Sequence, residues 1–298
     1  MHYIMFKLTD KSHYNMKIFT EIFDYVWLLS FFWIINCYID SNLTPFKASM
    51  TLGVFLFAFL RDIMFMVLYP DKISKDKINF TPDMKLFISF WKDTLFFGGS
   101  LAFLTYCKLI YWETMFTNLN NSIKIIGQIY LDTYILIISK ELQLEFFHKS
   151  MHENNNILSK FFNKKLKQIH KLHHTTKTNL WTLNAFYVEI PDSIMESLAA
   201  PFLLFGFKYY MGHQLHLHLG SFLMFVIFDL HCHSANPYTQ ALYNPILDYF
   251  LKPTISHSLH HTYPATNYRQ IPLHHFSYEK RIEDLNKYNK VHKTNFVL

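Results

Sequence analysis

Glycine and cysteine are both scarce in this sequence, and each shortage excludes something. Seven Gly stand beside 31 Phe, 19 Tyr and 12 Met, with 51% hydrophobic residues arranged in long blocks. That balance is unusual for a soluble domain and fits a membrane protein with charged segments outside the hydrocarbon. The three Cys (Cys37, Cys107, Cys232) are odd in number and lack framework spacing, so they read as reduced thiols and not as the staples of a secreted domain. The first 17 residues lack the charged, apolar and cleavage regions of a signal peptide, so the first apolar block is expected to act as an uncleaved membrane signal. The formal charge of +6 suggests nucleic acid at first sight, but the Lys residues sit beside apolar blocks, as the positive-inside rule predicts.

The apolar blocks predict about four transmembrane helices, at Ile22 to Ile39, Met50 to Tyr69, Thr94 to Trp112 and Ile123 to Ser139. Arg61-Asp62 in the second reads as an interfacial ion pair, and Asp132 in the fourth as a helix-packing contact. Two weaker blocks follow, Ile194 to Tyr210 and Leu215 to Leu230. Glu196 and Pro201 in one, and His216 and His218 in the other, favour a membrane-embedded hairpin over two full spans. Between Lys140 and Lys177 eight Lys face three Glu, which puts this segment on the cytoplasmic side. The expected organisation is an all-α integral membrane protein: an N-terminal membrane region over 1–122, a catalytic region over 123–276 and a polar, solvated tail over 277–298.

What the sequence has in excess is histidine. Of 18 His, all but His2 and His13 lie after residue 147. His148 and His152 form an H-x-x-x-H box. His170, His173 and His174 form H-x-x-H-H, and His257, His260 and His261 repeat it. Residues three and four apart share a helix face, so each box is expected to point its imidazoles in one direction, as a metal site requires.

Several metal chemistries fail on absences. No Cys pair is available for structural zinc, and neither H-E-x-x-H nor H-x-x-E-H occurs. A soluble-type di-iron carboxylate bundle needs two Glu-x-x-His motifs, and only Glu145-x-x-His148 is present. Many neutral imidazoles suit two first-row metals, iron among them. Iron beside a membrane argues for oxygen activation on a lipid.

The order of the boxes after about four apolar spans resembles the membrane fatty acid hydroxylase and sterol desaturase superfamily, over roughly Ile123 to Phe276. Phe146-Phe147-His148-Lys149, Ile169 to His174, His233-Ser234-Ala235-Asn236, and His257 to His261 trailed by Tyr263 and Asn267-Tyr268 are similar to its motifs. Three features depart from the pattern: a long Asn- and Lys-rich gap between His152 and His170, Ile190 where a His often precedes Pro191, and Ala235 where Gly is common.

The resemblance implies a di-iron centre with His148, His152, His170, His173, His174, His257, His260 and His261 as ligands, His233 as a ninth and His231 as a candidate tenth. By their place just after the last box, His274 and His275 are candidates for orienting ligands, with their role left open, and His213, His216 and His218 match no family box. It implies an oxygen-dependent oxidoreductase at the cytosolic face of the endoplasmic reticulum, acting on a sterol, sphingoid or fatty acyl lipid in the bilayer. The residues around His233 and Asn244-Pro245 lean towards the sterol C5-desaturase branch. Two iron ions and O2 would serve as cofactors, with electrons from NAD(P)H through a separate cytochrome b5 and its reductase, since no H-P-G-G haem motif occurs here. The competing expectations are a His-rich membrane metal-binding or transport protein, and an inactive relative with a scaffold role.

Overall fold

The computed structural model describes residues 119–153, 157–161, 165–176, 187–212, 217–234 and 252–296, with scattered positions elsewhere. The first three expected spans lie outside the described residues apart from isolated positions, as do Arg61-Asp62, His213 and His216.

The described chain is mostly helical. Its first long helix, α1 (Leu119–Gln143), runs through the fourth expected span. Ile125, Ile129, Asp132, Leu136, Lys140 and Leu144 are buried at steps of three or four, so one stripe faces inward. The opposite face is also apolar, with Leu131, Ile138, Leu142 and Phe146 more than half exposed. An apolar outside around a charged inside is the reverse of a soluble helix.

The inner charges are paired. Asp132 accepts from Lys208 Nζ at 2.6 Å and from Gln128 Nε2 at 2.6 Å, which makes it a packing contact between helices. Lys140 Nζ donates to Asp229 at 2.6 Å. Breaking either pair would strand a buried charge, at a cost of about 3–5 kcal/mol.

A π-helical turn, Leu144–His148, continues α1 into α2 (Lys149–His152). Two short helices follow, α3 (Ile157–Phe161) and α4 (Lys165–His170), then a 3-10 turn over His173–Thr176. The next helical run is α5 (Ile190–Ser193), a second π-helical turn (Ile194–Leu198) and α6 (Ala199–Tyr210). Pro191 sits in the first turn, where its missing N–H costs nothing. Gly212 at φ +69° lies just beyond the end of α6, in the left-handed region that glycine tolerates.

Among the described residues, Ile190–Tyr210 is the one helical run long and apolar enough to cross a membrane. The sequence favoured half of a hairpin here; the π turn lets the run continue without a break. The second block forms the shorter α7 (Leu219–Cys232), and both α6 and α7 pack on α1. Among the described residues, a two-residue parallel pairing of Ile110–Tyr111 with Leu217–His218 is the small exception to helix.

The third His box lies on α8 (Pro253–Thr262), buried from Pro253 to His261. Against it packs α9 (Tyr278–His292), capped by Ser277, whose side chain accepts from the Lys280 N–H. The expected solvated tail is therefore half core: Asp284, Leu285, Tyr288 and His292 are buried at helical spacing. Ser258 on α8 pairs with His292 Nε2 at 2.7 Å, which ties the tail to the box.

Candidate metal centre

The structure draws the boxes into two adjoining groups. His148, His152, His170, His174 and His260 form one, and His173, His233, His257 and His261 the other, with the ligand atoms of each group within 4.8 Å of one another. The His174 and His261 rings, one from each group, are 4.8 Å apart.

Neither H-x-x-H-H box points in one direction as a whole. In each, the first and last His go to one group and the middle His to the other. At about 100° per residue, i+4 lies some 40° to one side of i, while i+3 lies some 60° to the other. On α8, His257 and His261 thus join the second group and His260 the first. The other box runs from the end of α4 at His170 into the 3-10 turn at His173, and there His170 and His174 join the first group and His173 the second. Each box bridges both groups.

Protein acceptors fix the tautomers. His148 Nδ1–H donates to the Tyr268 carbonyl at 2.9 Å and His260 Nδ1–H to the Thr266 carbonyl at 2.6 Å. His170 Nδ1–H donates to the Asp192 carboxylate at 2.9 and 3.0 Å, and His233 Nδ1–H to the Asp229 carbonyl at 3.0 Å. A neutral imidazole that donates from Nδ1 has only a lone pair at Nε2. Yet His148 Nε2 lies 3.0 Å from His170 Nε2 and 2.9 Å from His260 Nε2. These contacts are lone pair against lone pair, with no proton to bridge them.

A shared cation removes the conflict. Two nitrogens bound at about 2.1 Å to one ion lie about 3.0–3.4 Å apart. The second group has the same spacing, with His257 Nε2 2.9 Å from His233 Nε2 and His173 Nε2 3.3 Å from it. His152 Nε2 is buried in the first group with no hydrogen-bond partner. The donor set fits a first-row divalent ion in each group.

Electrostatics agree with this. Burial first, and the mutual repulsion of neighbouring imidazolium charges second, hold His148, His170, His173, His257, His260 and His261 well below the ordinary histidine pKa. Burial also lowers His152 to about 3 and His174 to about 4, and lowers His233. All nine are neutral at physiological pH, the form that binds metal.

A loop beyond α8 closes the first group. Asn267 at φ +53° adopts the left-handed conformation that Asn tolerates, between the Thr266 and Tyr268 carbonyls that hold His260 and His148. Three glutamates from the α1–α2 run pin the loop. Tyr268 Oη donates to Glu153 at 3.1 Å, Arg269 Nε to Glu145 at 2.9 Å, and the Ile271 N–H to Glu141 at 3.1 Å. Glu145, weighed from the sequence as half of an Glu-x-x-His ligand motif, is thus a loop anchor.

His231 is buried on α7 but joins neither group, and its carbonyl accepts from Thr254 Oγ1 at 3.0 Å. His274 and His275 do not orient any of the nine. Both donate from Nε2 to Asp284, at 2.7 and 3.0 Å. His275 Nδ1 accepts the Lys252 N–H at 3.2 Å, so its Nε2 carries the proton and is closed to metal.

Sequence reasoning missed Asp192, Asp229, Thr266 and the Tyr268 carbonyl. They are carboxylates and backbone groups outside the boxes, and only the fold brings them to a ring nitrogen. No protein-family model, curated protein or solved structure matches this chain.

Proposed function

We propose that this chain is an integral membrane, oxygen-dependent oxidoreductase that hydroxylates or desaturates a lipid, using two iron ions held by the two His groups. The reading follows the likeness of its boxes to the membrane fatty acid hydroxylase and sterol desaturase superfamily, with the sterol C5-desaturase branch favoured. The observation that carries it is the convergence of nine imidazoles in two adjoining groups, with the Nδ1–H tautomer of His148, His170, His260 and His233 fixed by protein acceptors.

The chemistry a bound iron pair supplies is reductive activation of O2 for attack on an unactivated C–H bond. The protein's share is orientation and exclusion. Asp192 and the Thr266, Tyr268 and Asp229 carbonyls hold four rings in the tautomer and direction that binding needs. The buried α8 keeps bulk water from the centre. The apolar outer faces of α1 and α6, with Leu131, Leu142, Phe202 and Phe207 exposed, suit a bilayer that delivers the lipid. The Lys-rich segment between Lys140 and Lys177 supports a cytosolic orientation, in the endoplasmic reticulum, with electrons from NAD(P)H through cytochrome b5 and its reductase. A transport role is not favoured, because Asp132, its strongest mid-helix carboxylate, is neutralised by Lys208.

Metal analysis of the purified protein, joined to lipid profiling of cells with and without it, tests the reading. The expected result is about two irons per chain and an oxidised lipid that disappears with His173→Ala. Turnover retained in that variant would sink the assignment.

A further inference from the structure

The two π-helical turns meet at the first His group, and one brings a carboxylate to it. The turn Leu144–His148 carries His148, and the turn Ile194–Leu198, packed against it, carries Glu196. Such turns are rare and concentrate at functional sites, because the widened backbone re-aims a side chain and loosens its own hydrogen bonding. Here Gln143 Nε2 donates to the carbonyls of Ile194 and Met195, which stabilises the second turn in that shape.

Glu196 Oε1 lies 3.7 Å from His148 Nε2 and 3.5 Å from His170 Nδ1. The oxygen is shielded from solvent and accepts no hydrogen bond. His148 already donates from Nδ1 to Tyr268, and His170 from Nδ1 to Asp192. Neither ring has a second proton to offer. In its ionised form Glu196 places an acceptor opposite the His148 lone pair, at the edge of the first group and within ligand reach of His170 and Asp192. An oxygen at about 2.1 Å and a nitrogen at about 2.1 Å from one ion are about 3.0–3.8 Å apart over the usual angles.

We propose that Glu196 is an oxygen ligand of the metal in the five-His group, so that this ion sits in a mixed nitrogen and carboxylate site while its neighbour is bound by imidazoles alone. Five neutral rings leave a divalent ion's charge uncompensated, and one carboxylate halves it. The two ions are then chemically unequal, with the more anionic environment on the His148 side. The proposal rests on the two-metal reading above.

The test is stepwise Co2+ titration of the full-length protein, stripped of metal, in wild-type, E196Q and E196D forms, read by bound stoichiometry and by the visible Co2+ spectrum. Wild type should bind two ions. E196Q should weaken one of the two steps by about 10-fold or more and alter that ion's spectrum, with the other step unchanged as an internal control of folding. E196D keeps the charge and should recover part of the loss. Two wild-type steps in E196Q would overturn the proposal, as would equal weakening of both steps without recovery in E196D. A wild type that fails to bind two ions would instead remove the two-metal reading itself.

Discussion

Two histidine-rich clusters lie a short distance apart in sequence and behave in opposite ways. In the nine-His centre the Nδ1 atoms of His148, His170 and His260 donate to protein acceptors, which leaves bare Nε2 lone pairs facing each other. In the His274–His275–Asp284 cluster His275 Nδ1 accepts a backbone N–H, so Nε2 carries a proton and donates to the carboxylate. By residue type and spacing both could hold a metal ion. The difference is where the proton sits, and the backbone group behind each ring decides that. One cluster asks for a cation; the other is already satisfied and fastens α9 beside α8.

The largest effect that would sharpen this contrast is loss of a ligand. His260→Ala should cost the protein one of its two ions, because the first group loses a ring tied to His148 at 2.9 Å, while His257 and His261 still serve the second. Metal content per chain checks it, and an H260A protein with both ions at full affinity would break the comparison. A smaller effect is expected one bond further out. Asp192→Asn keeps an acceptor for His170 but removes the charge, and should weaken metal at the first group by roughly 10- to 100-fold. Competition against a chelator of known affinity measures the change, and an unchanged affinity would mean that Asp192 only fills space.

The smallest effect belongs to the second cluster. Asp284→Asn should leave metal content untouched and lower stability by about 2 kcal/mol. Burial would raise the Asp284 pKa, but the hydrogen bonds that His275 and His274 donate outweigh it and hold the group at about 2. An unfolded Asp titrates near ~3.9. A depressed carboxylate contributes stability that is present above the unfolded value and lost as pH falls through the folded one. The gap between wild type and D284N in thermal unfolding should therefore be widest above pH ~4 and close towards pH ~2. A D284N protein that loses metal would show that this cluster belongs to the centre after all.

Much of the centre was legible in the chain. Box spacing singled out eight of the nine residues that the fold gathers, because i, i+3 and i+4 spacing is a local property of the chain, and the family resemblance added His233. Their partition into five and four was not legible. The 100° between i+3 and i+4 matters only once a second box approaches from the other side, as α8 does to the turn at His173 and His174. Glu141 and Glu153 read as scattered charge in a Lys-rich segment and Glu145 as half of a Glu-x-x-His motif, since their partners lie 115 to 130 residues away in the loop from Tyr268 to Ile271. The tail misled for a related reason: Asp284 and His292 count as polar in any composition, and only contact with His275 and Ser258 makes them core.

The sequence by itself determined a helical chain with apolar faces and three boxes of potential ligands, because helical periodicity and composition are local properties. Tertiary structure alone decided which nitrogen of each ring bears the proton, which ring serves which group, and that Glu196 faces His148. Those depend on carbonyls, carboxylates and π-helical turns that only long-range packing brings within hydrogen-bond reach.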